Sequence, residues 1–234
     1  MGTTGFDTMA YGGPMDGYDY VDRVTFTFDA MGLDSYTAGN QTRTRGTSVV
    51  SEAAGDSLVR VGRWNGGTTA GATPFRTYSA TQGYHYAVGP RTAALPTSGT
   101  QDYTLLGATR PTHSDGTSML GTITGRARVA WGAMPKIGVE LTVTIPGDTT
   151  YTIQTPGGTA SPGTDFRAST TGRFSFSTAM TGSSGHACST MPSMCSAGVE
   201  GFVTGPNAER IALAFAIYAG NGGVGVHGAA ALTR

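Results

Sequence analysis

The chain has little charge of either sign and almost no lysine. Of its 234 residues only 13% are charged, and Lys136 is the single lysine. Fifteen acidic and fifteen basic side chains give a formal net charge of zero, which removes the electrostatic argument for nucleic acid or an anionic membrane surface as the main partner. No apolar run approaches the roughly 20 residues that a membrane-spanning helix needs, so we expect no transmembrane segment.

Targeting and catalytic motifs are scarce as well. Residues 1–7 have neither a basic n-region nor an apolar core, so the sequence as it stands carries no secretion signal. Either the protein stays inside the cell or a signal was removed, and these residues leave both alternatives open. A nucleophile elbow, a Walker loop and a zinc-protease helix are all missing from the sequence, and we therefore expect a protein that is not an enzyme.

What the chain does have is glycine, threonine and alternating apolar residues. It contains 37 glycines, and such a composition is typical of a protein rich in strands and turns. After residue 120 apolar and polar residues alternate in about seven consecutive segments, the pattern of strands with one buried face. Consecutive hairpins of this kind close most economically into an eight-stranded antiparallel up-and-down barrel, with its eighth strand over Tyr103 to Leu106. We also predict a loop over roughly residues 155–171.

The N-terminal half is harder to interpret. Alternation marks strands around residues 24–28, 59–61 and 84–88, but the spacers between them are long and polar. Because the apolar content is thin for an independent core, we predict a β-rich N-terminal extension, or handle, that packs against or extends the barrel. The fold class is therefore all-β, with an N-terminal region over residues 1–115 and a barrel over residues 116–234, divided by a soft boundary near residue 115.

The segment from Val199 to Glu209 predicts a hairpin. Pro206 and Asn207 suit a turn, with Asn207 tolerating left-handed geometry, and alternating apolar residues flank it on both sides. Together with residues 225–230, this hairpin resembles the closing hairpin of the transferrin-binding-protein-like β-barrel family of bacterial surface lipoproteins and secreted hemophores. The resemblance implies an eight-stranded barrel with an added N-terminal domain and a binding function, often in iron, haem or host-protein capture. Val203 and His227 stand where that family tends to have aromatic residues.

Reactive and metal-binding side chains are most concentrated in residues 180–195, which contain both cysteines. A disulfide between Cys188 and Cys195 would close a small loop and fit an oxidising compartment. The alternative is a soft-metal site for Cu(I), because the loop also offers His186, Met191 and Met194 beside the thiols. A zinc site is a weaker alternative, since the paired spacing of zinc motifs is missing.

Other candidate residues are two further histidines and three aromatic residues. His85 lies on a predicted strand, opposite in direction to Tyr84 and Tyr86, and could ligate haem iron by analogy with the family. His227 lies in the last strand, facing either outward or into a polar pocket at the barrel mouth. The candidates for contact with a partner protein are Trp64, Tyr18 and Tyr20, because Trp and Tyr dominate interface energetics. Trp131 is expected in the barrel core, and His113 in a loop.

Two functional hypotheses follow from these observations. The first is a secreted or cell-surface binding protein, extracellular, surface-bound or periplasmic, that captures haem, a metal such as copper, or a partner protein. The second is a structural or accessory subunit of a larger bacterial surface or membrane-associated assembly.

Overall fold

The computed structural model describes residues 6–14, 17–71, 75–168, 172–180, 185–189, 192–219 and 225–234, and the side chains of all of these except residues 17, 18, 167, 168 and 192. Strands and two short 3₁₀ helices, His186–Cys188 and Pro192–Met194, make up the regular structure of these residues. No helix among them has the length and hydropathy required to cross a bilayer.

The first eleven strands form the N-terminal region, called the handle below. They are β1 (Thr8–Gly13), β2 (Gly17–Asp22), β3 (Val24–Asp29), β4 (Gly32–Ala38), β5 (Gln41–Thr44), β6 (Val49–Gly55), β7 (Arg60–Asn65), β8 (Gly67–Thr68), β9 (Ala70–Gly71), β10 (Thr77–Tyr78) and β11 (Tyr84–Gly89). The remaining strands belong to the barrel sheet. They are β12 (Gly99–Ala108), β13 (Thr112–His113), β14 (Thr122–Trp131), β15 (Lys136–Thr144), β16 (Thr150–Gln154), β17 (Thr164–Ala168), β18 (Arg173–Ala179), β19 (Cys195–Thr204), β20 (Arg210–Ala219) and β21 (Gly225–Thr233).

The barrel is a closed antiparallel sheet with eight strand positions. Its order is β12-β14-β15-β17-β18-β19-β20-β21, and β21 pairs with β12 to close it. This confirms the predicted eight-stranded barrel, and β12 contains the residues interpreted as its eighth strand. The boundary near residue 115 stays a prediction, although the barrel sheet already begins at Gly99.

The predicted loop over residues 155–171 is wrong in one part, because it contains β17. This strand contacts β15 through only two residue pairs, at Lys136 and Ile137, and joins β18 with a register shift. The rest of that edge of β15 pairs with β16. One position of the barrel is therefore shared by two short strands, neither of which is long enough to show a clear period in the sequence.

Side chains fill the interior of the barrel. Trp131 stacks on Phe166 with ring centroids 5.9 Å apart, and Phe166 meets the edge of Phe174 at 6.0 Å. The inward residues of β14, β15 and β19–β21 join these rings in one buried cluster. Trp131 thus lies in the barrel core, as expected, and an eight-stranded barrel packed in this way holds side chains in place of a lumen.

The handle contains its own aromatic core. A five-stranded sheet of order β2-β1-β11-β7-β6 lies beside a four-stranded sheet of order β3-β4-β5-β9, and a β8–β10 pair adds to them. Trp64 stacks on Tyr84 at 5.3 Å, its indole N–H donates to the Leu33 carbonyl at 2.7 Å, and the hydroxyls of Tyr36 and Tyr84 are 2.8 Å apart. Large aromatic side chains therefore supply a core in a region that has few aliphatic residues.

The handle packs on the outer face of β19–β21. That face is built mostly of alanine, and with the handle residues opposite it forms one buried cluster: Ala10, Tyr20, Val59, Val61, Ala87, Phe202, Ala212, Ala214, Ala229 and Ala231. We call this contact the seam. Alternation predicts strands with one buried face, but both faces of β20 and β21 are buried, because the seam covers the face that points away from the barrel interior.

Polar contacts fix the seam at the end of the β19–β20 hairpin. The Arg210 guanidinium pairs with Asp56 at 2.8 Å, the Thr204 hydroxyl donates to the Leu58 carbonyl at 3.1 Å, and the Thr92 hydroxyl donates to the Val203 carbonyl at 2.9 Å. These contacts join residues more than 100 positions apart. The prediction that the N-terminal region packs against the barrel is therefore correct.

The hairpin turn itself differs from the prediction in one residue. Ala208, and not Asn207, has the left-handed conformation, with φ of 60°. Asn207 instead binds the Glu209 carboxylate, through its backbone N–H at 2.9 Å and its side-chain amide at 2.8 Å. The carboxylate shapes the turn, which leaves the strained position to the next residue.

Candidate metal centre

The pairing of β13 with β21 places His113 and His227 on neighbouring strands at one end of the barrel. In this pair Thr112 lies opposite His227 and His113 lies opposite Val226. The chain has four histidines, and all four lie along this end of the molecule: His85 is bonded to Thr112, His227 is opposite Thr112, and the rings of His113 and His186 are 5.1 Å apart. Strand pairing thus concentrates imidazoles that are scattered in the sequence.

Three of the side chains in this region are placed to share a cation. One ring nitrogen from each of His113 and His186 and one carboxylate oxygen of Asp115 lie within 4.8 Å of one another. His113 is buried, whereas Asp115 and His186 lie at the surface, so the site is open to solvent on one side. Two imidazoles and a carboxylate are ligands that suit Zn²⁺ and similar first-row ions, and three protein ligands leave a coordination position free.

Asp148 orients both histidines. Its Oδ2 is 3.0 Å from Nε2 of His113, and its Oδ1 accepts the backbone N–H of His186 at 2.7 Å. The Tyr151 hydroxyl donates to the same carboxylate at 2.7 Å. A carboxylate that holds a ligating histidine is the usual outer-shell arrangement of protein metal sites. The geometry therefore includes the support that a three-ligand site requires.

A buried nitrogen of His113 has no protein partner. Among the described residues its Nδ1 makes no hydrogen bond, although the side chain is fully buried. A buried polar atom without a partner costs free energy, so this nitrogen is available to bind a ligand. Burial lowers the pKa of His113, and the neighbouring Asp148 opposes this effect without overcoming it. His113 is therefore neutral at pH 7, the form that binds metal.

Asp115 is ionised with the support of its neighbours. Burial acts to raise its pKa, but the hydrogen bonds from His186 and Thr117 outweigh burial and hold the pKa below its usual value. The His186 Nε2 to Asp115 Oδ2 distance is 2.8 Å, and the Thr117 backbone N–H donates at 3.1 Å. The site thus offers one negative oxygen and two imidazoles.

The predicted disulfide forms and places His186. Cys188 and Cys195 are bonded, with their Cα atoms 5.2 Å apart, which removes the thiols on which the Cu(I) alternative depended. Of the two methionines proposed as ligands, Met194 is 59% exposed, and Met191 lies outside the described residues. His186 is thus the one residue of that predicted set that the structure brings to the centre.

His85 and His227 lie in the seam, away from solvent. His85 is completely buried, and its two ring nitrogens are 2.7 Å and 2.8 Å from the hydroxyls of Thr109 and Thr112. It points away from Tyr84 and Tyr86, as predicted, and faces the barrel, where both ring nitrogens are already bonded to threonine hydroxyls. His227 is on the outer face of its strand and covered by the handle, and burial lowers its pKa to about 4.

The aromatic contact candidates are also covered. Trp64 is completely buried in the handle core, and Tyr20 is 7% exposed and packs on Phe202 in the seam. Arg173 lies over the Tyr20 ring at 4.3 Å. Tyr18 pairs through its backbone with Gly12, and its side chain is outside the described set. Trp64 and Tyr20 therefore stabilise this chain internally and are not displayed on its surface.

Sequence reasoning missed His113, Asp115 and Asp148. His113 was assigned to a loop, yet it lies in β13. The signal available was the close spacing of His113 and Asp115, two residues apart, which places an imidazole and a carboxylate beside each other. The partner His186 is 71 residues away from Asp115, and only the closed sheet brings the two together.

The fold is an all-β barrel with an N-terminal handle, and His113, Asp115 and His186 converge at one end of the barrel. No family model and no curated protein matches the sequence. Among solved structures, the chain aligns over 97% of its length with a double mutant of transferrin binding protein B from Haemophilus parasuis Hp5, at 14% identity and a TM-score of 0.49. It aligns over 98% of its length with a surface lipoprotein, covering 99% of that chain, at 14% identity and a TM-score of 0.45.

A third similar structure is the intact Ap-TbpB with its N and C lobes, at 13% identity and a TM-score of 0.44 over 97% of this chain. The chain covers 44% and 46% of the two transferrin binding proteins, and so spans less than half of their length. These are the kinds of protein named by the resemblance in the C-terminal hairpin.

Proposed function

We propose that this chain is a secreted or cell-surface binding protein that captures a divalent transition-metal ion, with Zn²⁺ as the reference ion. The observation that carries the proposal is the convergence of His113, Asp115 and His186, whose ligand atoms lie within 4.8 Å of one another. Asp148 holds two of these residues in place. The disulfide supports a location outside the cytosol, since disulfides persist in oxidising compartments.

The filled barrel supports binding at the barrel end. Because aromatic and aliphatic side chains occupy the interior, an ion or ligand can reach the protein only from its surface. The centre is open there through Asp115 and His186, and the free coordination position suits exchange of the captured ion or a bond to a donor group that arrives with it. The protein supplies ligands and orientation for capture, and we assign it no chemical step.

Isothermal titration with Zn²⁺ at pH 7.5 tests the proposal directly. We expect one ion per chain in the wild-type protein, and an affinity at least about tenfold weaker in Asp115→Asn, which keeps the shape of the side chain and removes its charge. Asp102→Asn is the matched control, because Asp102 is an exposed carboxylate paired with Arg128 on the barrel wall. Absence of stoichiometric binding, or equal affinity in the two variants, would overturn the proposed function.

A further inference from the structure

We propose that the disulfide between Cys188 and Cys195 holds His186 in the metal centre, so that the chain binds its ion more tightly in an oxidising compartment than in a reducing one. This inference rests on the proposed function, because it concerns the regulation of the same centre. It follows from the way in which the three ligands are attached to the fold.

Two of the ligands belong to a rigid part of the barrel. His113 lies in β13, which pairs with β21, and Asp115 follows directly in a turn closed by the Gly116 N–H to His113 carbonyl bond at 3.1 Å. The Ser114 N–H donates to the Gly225 carbonyl at 2.8 Å, and the Gly225 N–H donates to the Ser114 hydroxyl at 2.9 Å. These residues are fixed by the sheet and do not depend on the cysteines.

His186 is attached differently. It begins the 3₁₀ helix His186–Cys188, a single turn that cannot be stable by itself. Its contacts with the barrel, besides the disulfide, include two backbone hydrogen bonds: His186 N–H to Asp148 at 2.7 Å and Ala187 N–H to the Tyr151 hydroxyl at 3.2 Å. The disulfide is therefore the one covalent attachment of this turn beyond the chain itself.

The other end of the disulfide is immobile. Cys195 begins β19, lies opposite Ala219 of β20, and its carbonyl accepts the Met180 N–H at 2.9 Å. Both cysteines are buried in the barrel core cluster. The disulfide therefore ties the turn that begins at His186 to a strand of the barrel, and opening it removes this tether, so that metal binding has to order the turn.

The chemistry of the switch is simple thiol–disulfide exchange. Dithiothreitol transfers two electrons and two protons to the cystine, the sulfur–sulfur bond breaks to give two thiols, and the reductant becomes its own cyclic disulfide. Two of three ligands remain in place after this step. We expect the affinity for the ion to fall by about 10- to 100-fold, the range found when the support of a metal ligand is removed.

Two measurements test this inference on the full chain. The first compares Zn²⁺ affinity in the oxidised wild-type protein and in Cys188→Ala/Cys195→Ala, which cannot offer thiols as replacement ligands; near-ultraviolet circular dichroism checks that the variant keeps its fold. The second uses Mn²⁺ with the wild-type protein before reduction, after reduction and removal of dithiothreitol, and after reoxidation. Mn²⁺ is the probe here because it prefers oxygen ligands such as the Asp115 carboxylate and has little tendency to bind the thiols that reduction releases.

We expect weaker binding in the double variant and in the reduced protein, with recovery after reoxidation. Equal affinity of oxidised and reduced protein for Mn²⁺ would overturn the inference while leaving the proposed function intact. If the double variant fails to fold, the reduction and reoxidation of the wild-type protein decide the question alone. Absence of binding by the oxidised wild-type protein would overturn both the inference and the metal-binding function.

Discussion

Acidification should destabilise the protein through His227, and the substitution His227→Gln should remove that part of the effect. Burial under the handle, with His113 nearby as a minor cause, lowers the pKa of His227 from 6.5 to about 4. The folded protein therefore holds the neutral ring, whereas the unfolded chain protonates it at its ordinary pKa. The stability that results is complete above pH 6.5 and is lost as the pH falls toward 4.

The magnitude follows from the width of that window. Each pKa unit corresponds to about 1.4 kcal/mol, and pH 5 lies 1.5 units below the ordinary pKa of 6.5 and above the folded pKa of about 4. Protonation of His227 in the unfolded chain should thus lower the free energy of unfolding by about 2 kcal/mol between pH 7.5 and pH 5. For a chain of this size such a loss lowers Tm by about 4–8 °C.

Urea unfolding at the two pH values, followed by tryptophan fluorescence in the presence of EDTA, measures this difference. The wild-type protein should lose about 2 kcal/mol more than His227→Gln, because every other titrating group is common to both. The absolute stability of the variant at pH 7.5 does not enter the comparison. Equal losses in the two proteins would refute the reasoning and show that the His227 ring is protonated or hydrated in the folded state.

Three further predictions concern the seam and the metal centre. Phe202→Ala should lower the unfolding free energy by about 3–5 kcal/mol, because the ring is fully buried between barrel and handle; chemical denaturation measures it. Ala214→Leu should cost about 1–3 kcal/mol by overpacking the alanine face, whereas Thr142→Leu, on an exposed face of β15, should change stability by less than about 0.5 kcal/mol; similar effects would contradict the packing argument. Asp148→Asn should weaken Zn²⁺ binding by about tenfold in calorimetry, and an unchanged affinity would show that Asp148 does not orient the ligands.

The barrel was predictable because each strand must keep one apolar face inward. That requirement repeats every second residue, and it is visible in residues 123–131, 137–145 and 211–217 without knowledge of the partners. β17 carries only a few pairs with its neighbours and escapes the same test. The residue that adopts the left-handed turn conformation was misassigned because the preference of Asn207 for that geometry is weaker than its bonds to Glu209.

The candidate centre was not predictable to the same extent. Its ligands come from the short strand β13, from the turn that follows it and from the 3₁₀ turn that begins at His186, and the residue that orients them, Asp148, comes from a turn between β15 and β16. No local pattern joins segments this far apart. The seam left a signal that could have been used: alanines, and not polar residues, alternate with Ile211, Leu213 and Phe215, which indicates a strand buried on both sides.

The alanine face of β20 and β21 also limits how this protein can be divided or recombined. A larger side chain there would hold the handle and the barrel apart, and a polar side chain would be buried without a hydrogen-bond partner. The face is therefore complementary to the handle in particular. Transfer of the barrel without the handle into another protein would expose these strands as an apolar surface that is prone to aggregation. We therefore expect recombination to transfer the handle and the barrel together, even though each has a core of its own.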